Sequence, residues 1–332
     1  MKKQLIFAAV VLALAACSND ESLNPYDGPV EIRLSSSIEV QTRAMHSLDT
    51  QLGDGERVHV WVDDATTNAA LYENNALEKG NGGTLSGGTT MYFPQTGNNV
   101  DIYALHGNVT LTGNTFPENT PLTHTVAADQ RSSITTAGQG YQGSDLVYAK
   151  STDVARNGVP TTTVELNFHH LLSKIEVVLI EGDGDGDFLD NISTLQVLGT
   201  KLNADFTLTK AGAAYGKNTE NQDGIEVTAS GDPTPISLDT GVSDASAEAA
   251  NQVLNEAIIV PQEIAANTPF IKITLAQNGE QGSVFTYNLE KATTFESGKK
   301  YRYVITVRET ELKVTSSIEP WINGSTTPGF AE

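Results

Sequence analysis

Cysteine is almost missing from this chain: Cys17 is the only one in 332 residues. No disulfide can form within the chain and no cysteine-based zinc site can be built, so stability rests on apolar burial. Positive charge is also scarce, with 20 Lys and Arg against 41 Asp and Glu and a formal net charge of −21. Such a chain repels phosphate, which excludes nucleic acid as a partner held by the bulk field. Long amphipathic helical patterns are nearly absent, and only Ala245–Glu256 has a helix-friendly composition. Gly-x-Ser-x-Gly and Gly-x-x-x-x-Gly-Lys-Ser/Thr do not occur, so neither a hydrolase nucleophile elbow nor a phosphate-binding loop is written here. No His-x-His or His-Glu-x-x-His spacing occurs among the six histidines. The chain is read as a non-enzyme without metal or cofactor.

What is present is a series of short runs rich in Val, Ile and Thr, punctuated by Gly, Asn and Pro. That pattern predicts an all-β protein, with about seven strands in each half at sandwich-like spacing. In the first half the strands are Arg57–Val62, a short one at Leu71-Tyr72 within the long loop Thr66–Ser86, Thr89–Phe93, Val100–Leu105 and Asp145–Lys150. The polar stretch Ser151–Pro160 is the expected domain boundary. Thr161–Phe168 and Lys174–Ile180 then open the second half, which ends with Tyr301–Val307. The expected organisation is a signal segment over 1–16, a propeptide over 17–43, two tandem β-sandwiches over 44–158 and 159–310, and a terminal segment over 311–332. The outermost strands are expected as appendages of the sandwiches.

Those outermost strands resemble each other. Ile32–Glu39 reads Ile-Arg-Leu-Ser-Ser-Ser-Ile-Glu, and Leu312–Glu319 reads Leu-Lys-Val-Thr-Ser-Ser-Ile-Glu. Both alternate with the same parity, as half-buried strands do. Ile32, Leu34, Ser36 and Ile38 share one face, which Leu312, Val314, Ser316 and Ile318 repeat. Two strands with the same apolar face can fill the same groove; the competing reading is a common edge pattern of narrow composition. Directly after the first strand comes Thr42-Arg43-Ala44, a step that an arginine-specific protease could cut in an accessible loop. Cleavage there would leave Ala44 as the new N-terminus.

The first residues are a targeting segment. Met1-Lys2-Lys3 is a charged start, Leu5–Leu14 is an apolar run too short for a permanent span, and Leu14-Ala15-Ala16-Cys17 resembles a bacterial lipobox. The lipobox implies acylation of Cys17 and cleavage before it. Several acyl chains anchor a protein firmly to a membrane, where one would be marginal. Ser18 is compatible with transfer to the outer membrane.

Other constellations are weaker. Asp183-Gly184-Asp185-Gly186-Asp187 begins like a calcium loop, but its sixth position is Phe188 and its twelfth is Thr194, where the template needs Gly and Glu. An acidic turn is the preferred reading, with weak calcium binding the alternative. His169 and His170 point to opposite faces of a strand, so structural histidines are expected rather than one metal site. Trp61 and Trp321 could stack on sugars, although core or edge packing is the commoner role.

Taken in order, the lipobox at Cys17, the Thr42-Arg43-Ala44 step, Asp145–Ala149, Phe168–Ile175, Ile259–Gln262 and the ending Ile318-Glu319-Pro320-Trp321 resemble the fimbrillins, the lipoprotein pilin family of type V pili. The resemblance implies two transthyretin-like, Greek-key sandwich domains and lipid-anchored export to the outer surface. It also implies removal of the first strand, carrying Ile32, Leu34 and Ile38, by a trypsin-like arginine protease. Polymerisation by strand exchange would follow, with Leu312, Val314 and Ile318 on the donor strand. The implied partners are other copies of the chain, other fimbrial subunits, the protease, the outer membrane through the anchor, and a surface ligand of unknown kind. A second reading is a non-polymerising surface lipoprotein or tip adhesin that binds a glycan or a protein.

Overall fold

The computed structural model describes residues 28–38, 52–181, 192–244, 246–247, 251–277, 280–307, 312–321 and 329–330. The strands of the first half are β1 (Glu31–Ile38), β2 (Arg57–Asp64), β3 (Ala70–Lys79), β4 (Thr84–Ser86), β5 (Met91–Tyr92), β6 (Val100–His106), β7 (Leu122–Thr125), β8 (Val147–Val154) and β9 (Thr161–His170). Those that follow are β10 (Ser173–Glu181), β11 (Ile192–Val197), β12 (Lys201–Phe206), β13 (Val227–Pro233), β14 (Ile236–Leu238), β15 (Val242–Ser243), β16 (Asn255–Ile259), β17 (Gln262–Ile264), β18 (Pro269–Gln277), β19 (Glu280–Asn288), β20 (Thr293–Phe295), β21 (Lys299–Val307), β22 (Leu312–Pro320) and β23 (Gly329–Phe330). One short helix, α1 (Gly140–Ser144), precedes β8. The all-β expectation holds.

The first sheet has eight strands in the order β4-β3-β2-β6-β8-β9-β1-β5, and a further pairing of β4 with β1 closes it on itself. Alternation explains its interior. Val58, Val60 and Val62 of β2 and Val100, Ile102 and Ala104 of β6 join Val164, Leu166 and Phe168 of β9 in one buried cluster. Trp61, Tyr103, Leu105 and Tyr148 belong instead to a second cluster, shared with the strands that follow.

That second cluster lies between two sheets. One runs β15-β10-β21-β22-β23 with β16 also on β10, and the other runs β14-β11-β18-β19. Ile175, Val177 and Leu179 of β10 and Tyr301, Tyr303 and Ile305 of β21 meet Leu195, Val197, Ile271 and Ile273 of the facing sheet. This is the sandwich that period-two strands demand when each has one apolar face. Lys174 is an exception to the pattern: it is fully buried, with Glu256 at 2.6 Å and Glu176 at 3.4 Å supplying the opposite charge. A buried ammonium requires such partners.

The structure departs from the expected organisation in three places. Thr161–His170 does not open a second domain, because it pairs with β1 along its length and with β8 at its end. The polar stretch taken for a boundary supplies the last four residues of β8, 151–154, and then the connection to its antiparallel neighbour β9. Conversely, β7 pairs with β12, so the two halves are interleaved. The helix-friendly stretch Ala245–Glu256 also behaves differently. Of its described residues, the last two, Asn255 and Glu256, open strand β16, paired against Val177 and Glu176. Sheet pairing outweighs local composition there. Lastly, β1 is no appendage but a member of the first sheet's interior.

Candidate functional site

The seat of β1 is built from three sides. Along one edge β9 runs parallel to it, in register from Glu31 beside Thr161 to Ile38 beside Phe168. The other edge is held by two short antiparallel contacts: Leu34 and Ser35 against Leu85 and Thr84 of β4, and Glu31 and Ile32 against Tyr92 and Met91 of β5. Below lies the first core. Val30, Ile32, Leu34 and Ile38 are all buried in it, with Leu34 only 2% exposed. The expected face is therefore the one that is inserted.

One inserted residue is polar. Ser36 is 8% exposed and its Oγ donates to the carbonyl of Gly83 at 3.1 Å. Gly83 has φ +81°, and a Cβ on it would lie 2.6 Å from the Ser36 carbonyl oxygen. Only glycine permits that approach. On the outer face, Ser37 Oγ donates to Asn167 Oδ1 at 2.7 Å, while Arg33 pairs with Glu31 at 3.0 Å in solvent. Arg33 belongs to the ladder with β9, so a protease cannot engage its backbone unless the strand first opens.

The second strand of the near-repeat, β22, is paired antiparallel with β21 from Lys299 opposite Pro320 to Val307 opposite Leu312. Its other edge meets only Gly329 and Phe330 of β23 among the described residues. Its face is poorly covered. Val314 is partly buried against the second core, Ser316 is exposed, and Ile318 is 38% exposed. Ser316 and Ile318 line a groove with Tyr287, Leu289, Tyr301 and Tyr303.

Trp321, just beyond β22, is fixed at the junction between sheets. Its ring stacks on His170 with centroids 3.6 Å apart and planes 8° apart, and its backbone N–H donates to the Gly298 carbonyl at 2.6 Å. His170 Nδ1 lies 3.0 Å from Asp145 Oδ1. Trp61 is 1% exposed and donates from Nε1 to the Asn114 carbonyl. Neither indole offers a face to a sugar, and the structural role wins for both. Deeper in the junction, His124 Nδ1 accepts the Asn108 N–H at 2.8 Å and its Nε2 is 2.9 Å from the Ser144 carbonyl. Burial pushes its pKa down to about 4, as a buried neutral imidazole requires.

With this geometry in hand, comparison with known proteins is decisive. The family profile described as Fimbrillin-like matches residues 42–321. The chain belongs to the fimbrillin-like family. The match begins four residues beyond β1 and ends at Trp321. No curated protein matches this fimbrillin-like chain. Among solved structures, a candidate cell adhesion protein from Bacteroides uniformis aligns with a TM-score of 0.56 at 20% identity, over 90% of this chain and 99% of its own. A candidate cell adhesion protein from Bacteroides ovatus gives 0.57 at 17% identity, over 90% of this chain and 100% of its own. At such identities the likeness is one of fold.

Of the residues singled out by sequence, Ile32, Leu34 and Ile38 come together in one buried seat, and Val314 and Ile318 lie on one half-open strand. Leu312 stands opposite Val307 at the start of that strand. Cys17, Arg43, Ala44 and the acidic run Asp183–Asp187 lie outside the described residues. Among the described residues no group of three or more His, Cys, Asp or Glu side chains is placed to hold a metal ion. Gly83 was missed by sequence reasoning. Its only signal was a Gly pair in a loop, indistinguishable from other Gly-rich turns.

Proposed function

We propose that this fimbrillin-like chain is a structural subunit of a type V fimbria at the cell surface. It is exported as an outer-membrane lipoprotein acylated at Cys17 and cleaved between Arg43 and Ala44. Loss of the anchor carries β1 away, and the vacated seat is filled by the terminal strand of another copy, with Leu312, Val314 and Ile318 inward. The observation that carries this reading is the seat itself. A strand inserted into a core, with one long edge contact and two short ones, leaves apolar groove and unpaired backbone when it goes. Such an edge recruits a replacement strand. Four large inserted side chains contribute roughly 1.5–3 kcal/mol each. Because seat and donor are different surfaces, the contact is head-to-tail and propagates as a filament. The family match and the adhesion-related relatives support a surface role.

One observation favours a second reading, a surface adhesin or anchor subunit that does not polymerise: β22 is already satisfied by its own β21. The two separate on the mass and N-terminal sequence of protein recovered from cells, run beside an unheated denaturing gel. A start at Ala44 with a heat-sensitive ladder supports the structural subunit. An acylated start at Cys17 with monomer alone rejects it.

A further inference from the structure

We infer that Ser36 and Gly83 form a polar notch that fixes the register of whatever strand fills the seat, and that Ser316 of a second copy is its match. This inference rests on the strand-replacement reading and goes beyond it by naming the residues that set alignment.

The seat is apolar at Ile32, Leu34 and Ile38 but polar at Ser36. The reason is local. The Gly83 carbonyl is turned toward the core side of β1 by a left-handed backbone that a side chain would disfavour. A large apolar side chain opposite it would strand a buried acceptor, which costs more than a typical hydrogen bond contributes. An incoming strand must therefore offer a small donor at one inward position, with apolar residues two and four places before it and two places after. Leu312, Val314, Ser316 and Ile318 meet that requirement in a single alignment. A shift by two residues places Val314 or Ile318 on the notch, and a shift by one turns the apolar face to solvent. The outer face agrees: in the same alignment Ser317 takes the place of Ser37, whose hydroxyl bonds Asn167. At home in β22 the Ser316 side chain is exposed, so moving it into another seat breaks no buried side-chain contact, although β22 must first leave β21.

Cysteine pairs in the full chain test this, because Ser37 and Asn167 are register partners close enough for a disulfide to report on. A chain carrying Ser317→Cys and Asn167→Cys should give disulfide-linked ladders on cells under oxidising conditions. The control is the parent chain, whose one cysteine is Cys17. Thr315→Cys with Asn167→Cys, a two-residue slip, should not give ladders. Adding Ser316→Val to the first pair should lower its cross-linked fraction roughly tenfold, with protease resistance of the monomer checking that the fold persists. Ladders from the slipped pair, or a first pair indifferent to Ser316→Val, overturn the notch and leave strand replacement standing. No ladders from any pair, with folded monomer present, overturn both.

Discussion

Replacing Leu34 by Ala probes whether β1 is a structural member of the first core. Leu34 is 2% exposed and lies between Leu85 of β4 and Val164 of β9. Truncation removes three carbons from a site with neighbours on both edges and the core beneath. Such sites relax little, and Leu→Ala changes in them cost about 2–5 kcal/mol. Taking about 3 kcal/mol and a urea slope of about 2 kcal/mol per molar, the midpoint of the transition that reports on the first sheet should fall by about 1.5 M. The neighbouring Ser35→Ala, on the opposite face of the same strand, should move it by less than about 0.3 M, as surface changes do. Urea titration followed by hydrogen exchange at β9 amides reads both the size and the place of the effect. Loss of protection should concentrate on Val164, Leu166 and Phe168, whose side chains line the seat. If Leu34→Ala shifts the midpoint no further than Ser35→Ala, β1 is not seated as described and the exchange argument loses its basis.

Two further outcomes follow from the junction. His124 is neutral in the folded chain down to about pH 4, whereas the unfolded chain takes up that proton near about pH 6.5. The unfolded state then binds more protons between those values, so stability is full above about pH 6.5 and falls toward pH 4 at up to about 1.4 kcal/mol per unit. Denaturation at pH 7 and pH 4.5 should show that loss, and His124→Gln should flatten it; an equal slope in the variant refutes the assignment. Trp321→Ala should cost about 3–5 kcal/mol, as removal of a buried aromatic does. It should also speed hydrogen exchange along β22 while leaving β1 protected; unchanged exchange on β22 would mean that the His170 stack does not hold the strand.

How far the sequence led depended on which force dominated each stretch. Where alternation is clean, strands are legible almost to the residue: the expected Val100–Leu105 is β6 but for its last residue, His106, and the inward set of β1 follows from its alternation alone. Where polar side chains did the structural bonding, they were not. Ala70–Lys79 is a ten-residue strand, yet Asn74 and Asn75 make it read as loop. Asn75 is buried because its amide exchanges two hydrogen bonds with the backbone of Thr89, at 2.8 Å each, and Asn74 takes φ +47°. Composition carries neither fact. Partner choice was the other blind spot. Periodicity declares Thr161–Phe168 a strand but is silent on which sheet it joins, and the Gly/Pro stretch before it looked more like a linker than a hairpin loop. The seat followed the same rule: its occupant was legible from period two, while its notch depends on one backbone angle.

The parallel run of β1 beside β9 has a mechanical side. The strand passes through its seat from Glu31 beside Thr161 to Ile38 beside Phe168, so any strand held there in the same sense has a leading and a trailing end. A pull along that direction loads the whole ladder in shear, with every backbone bond sharing the force. A pull across it would peel the bonds open one after another. In the fibre proposed above, a seated strand pulled along its own length would be loaded in the orientation where a short strand resists best.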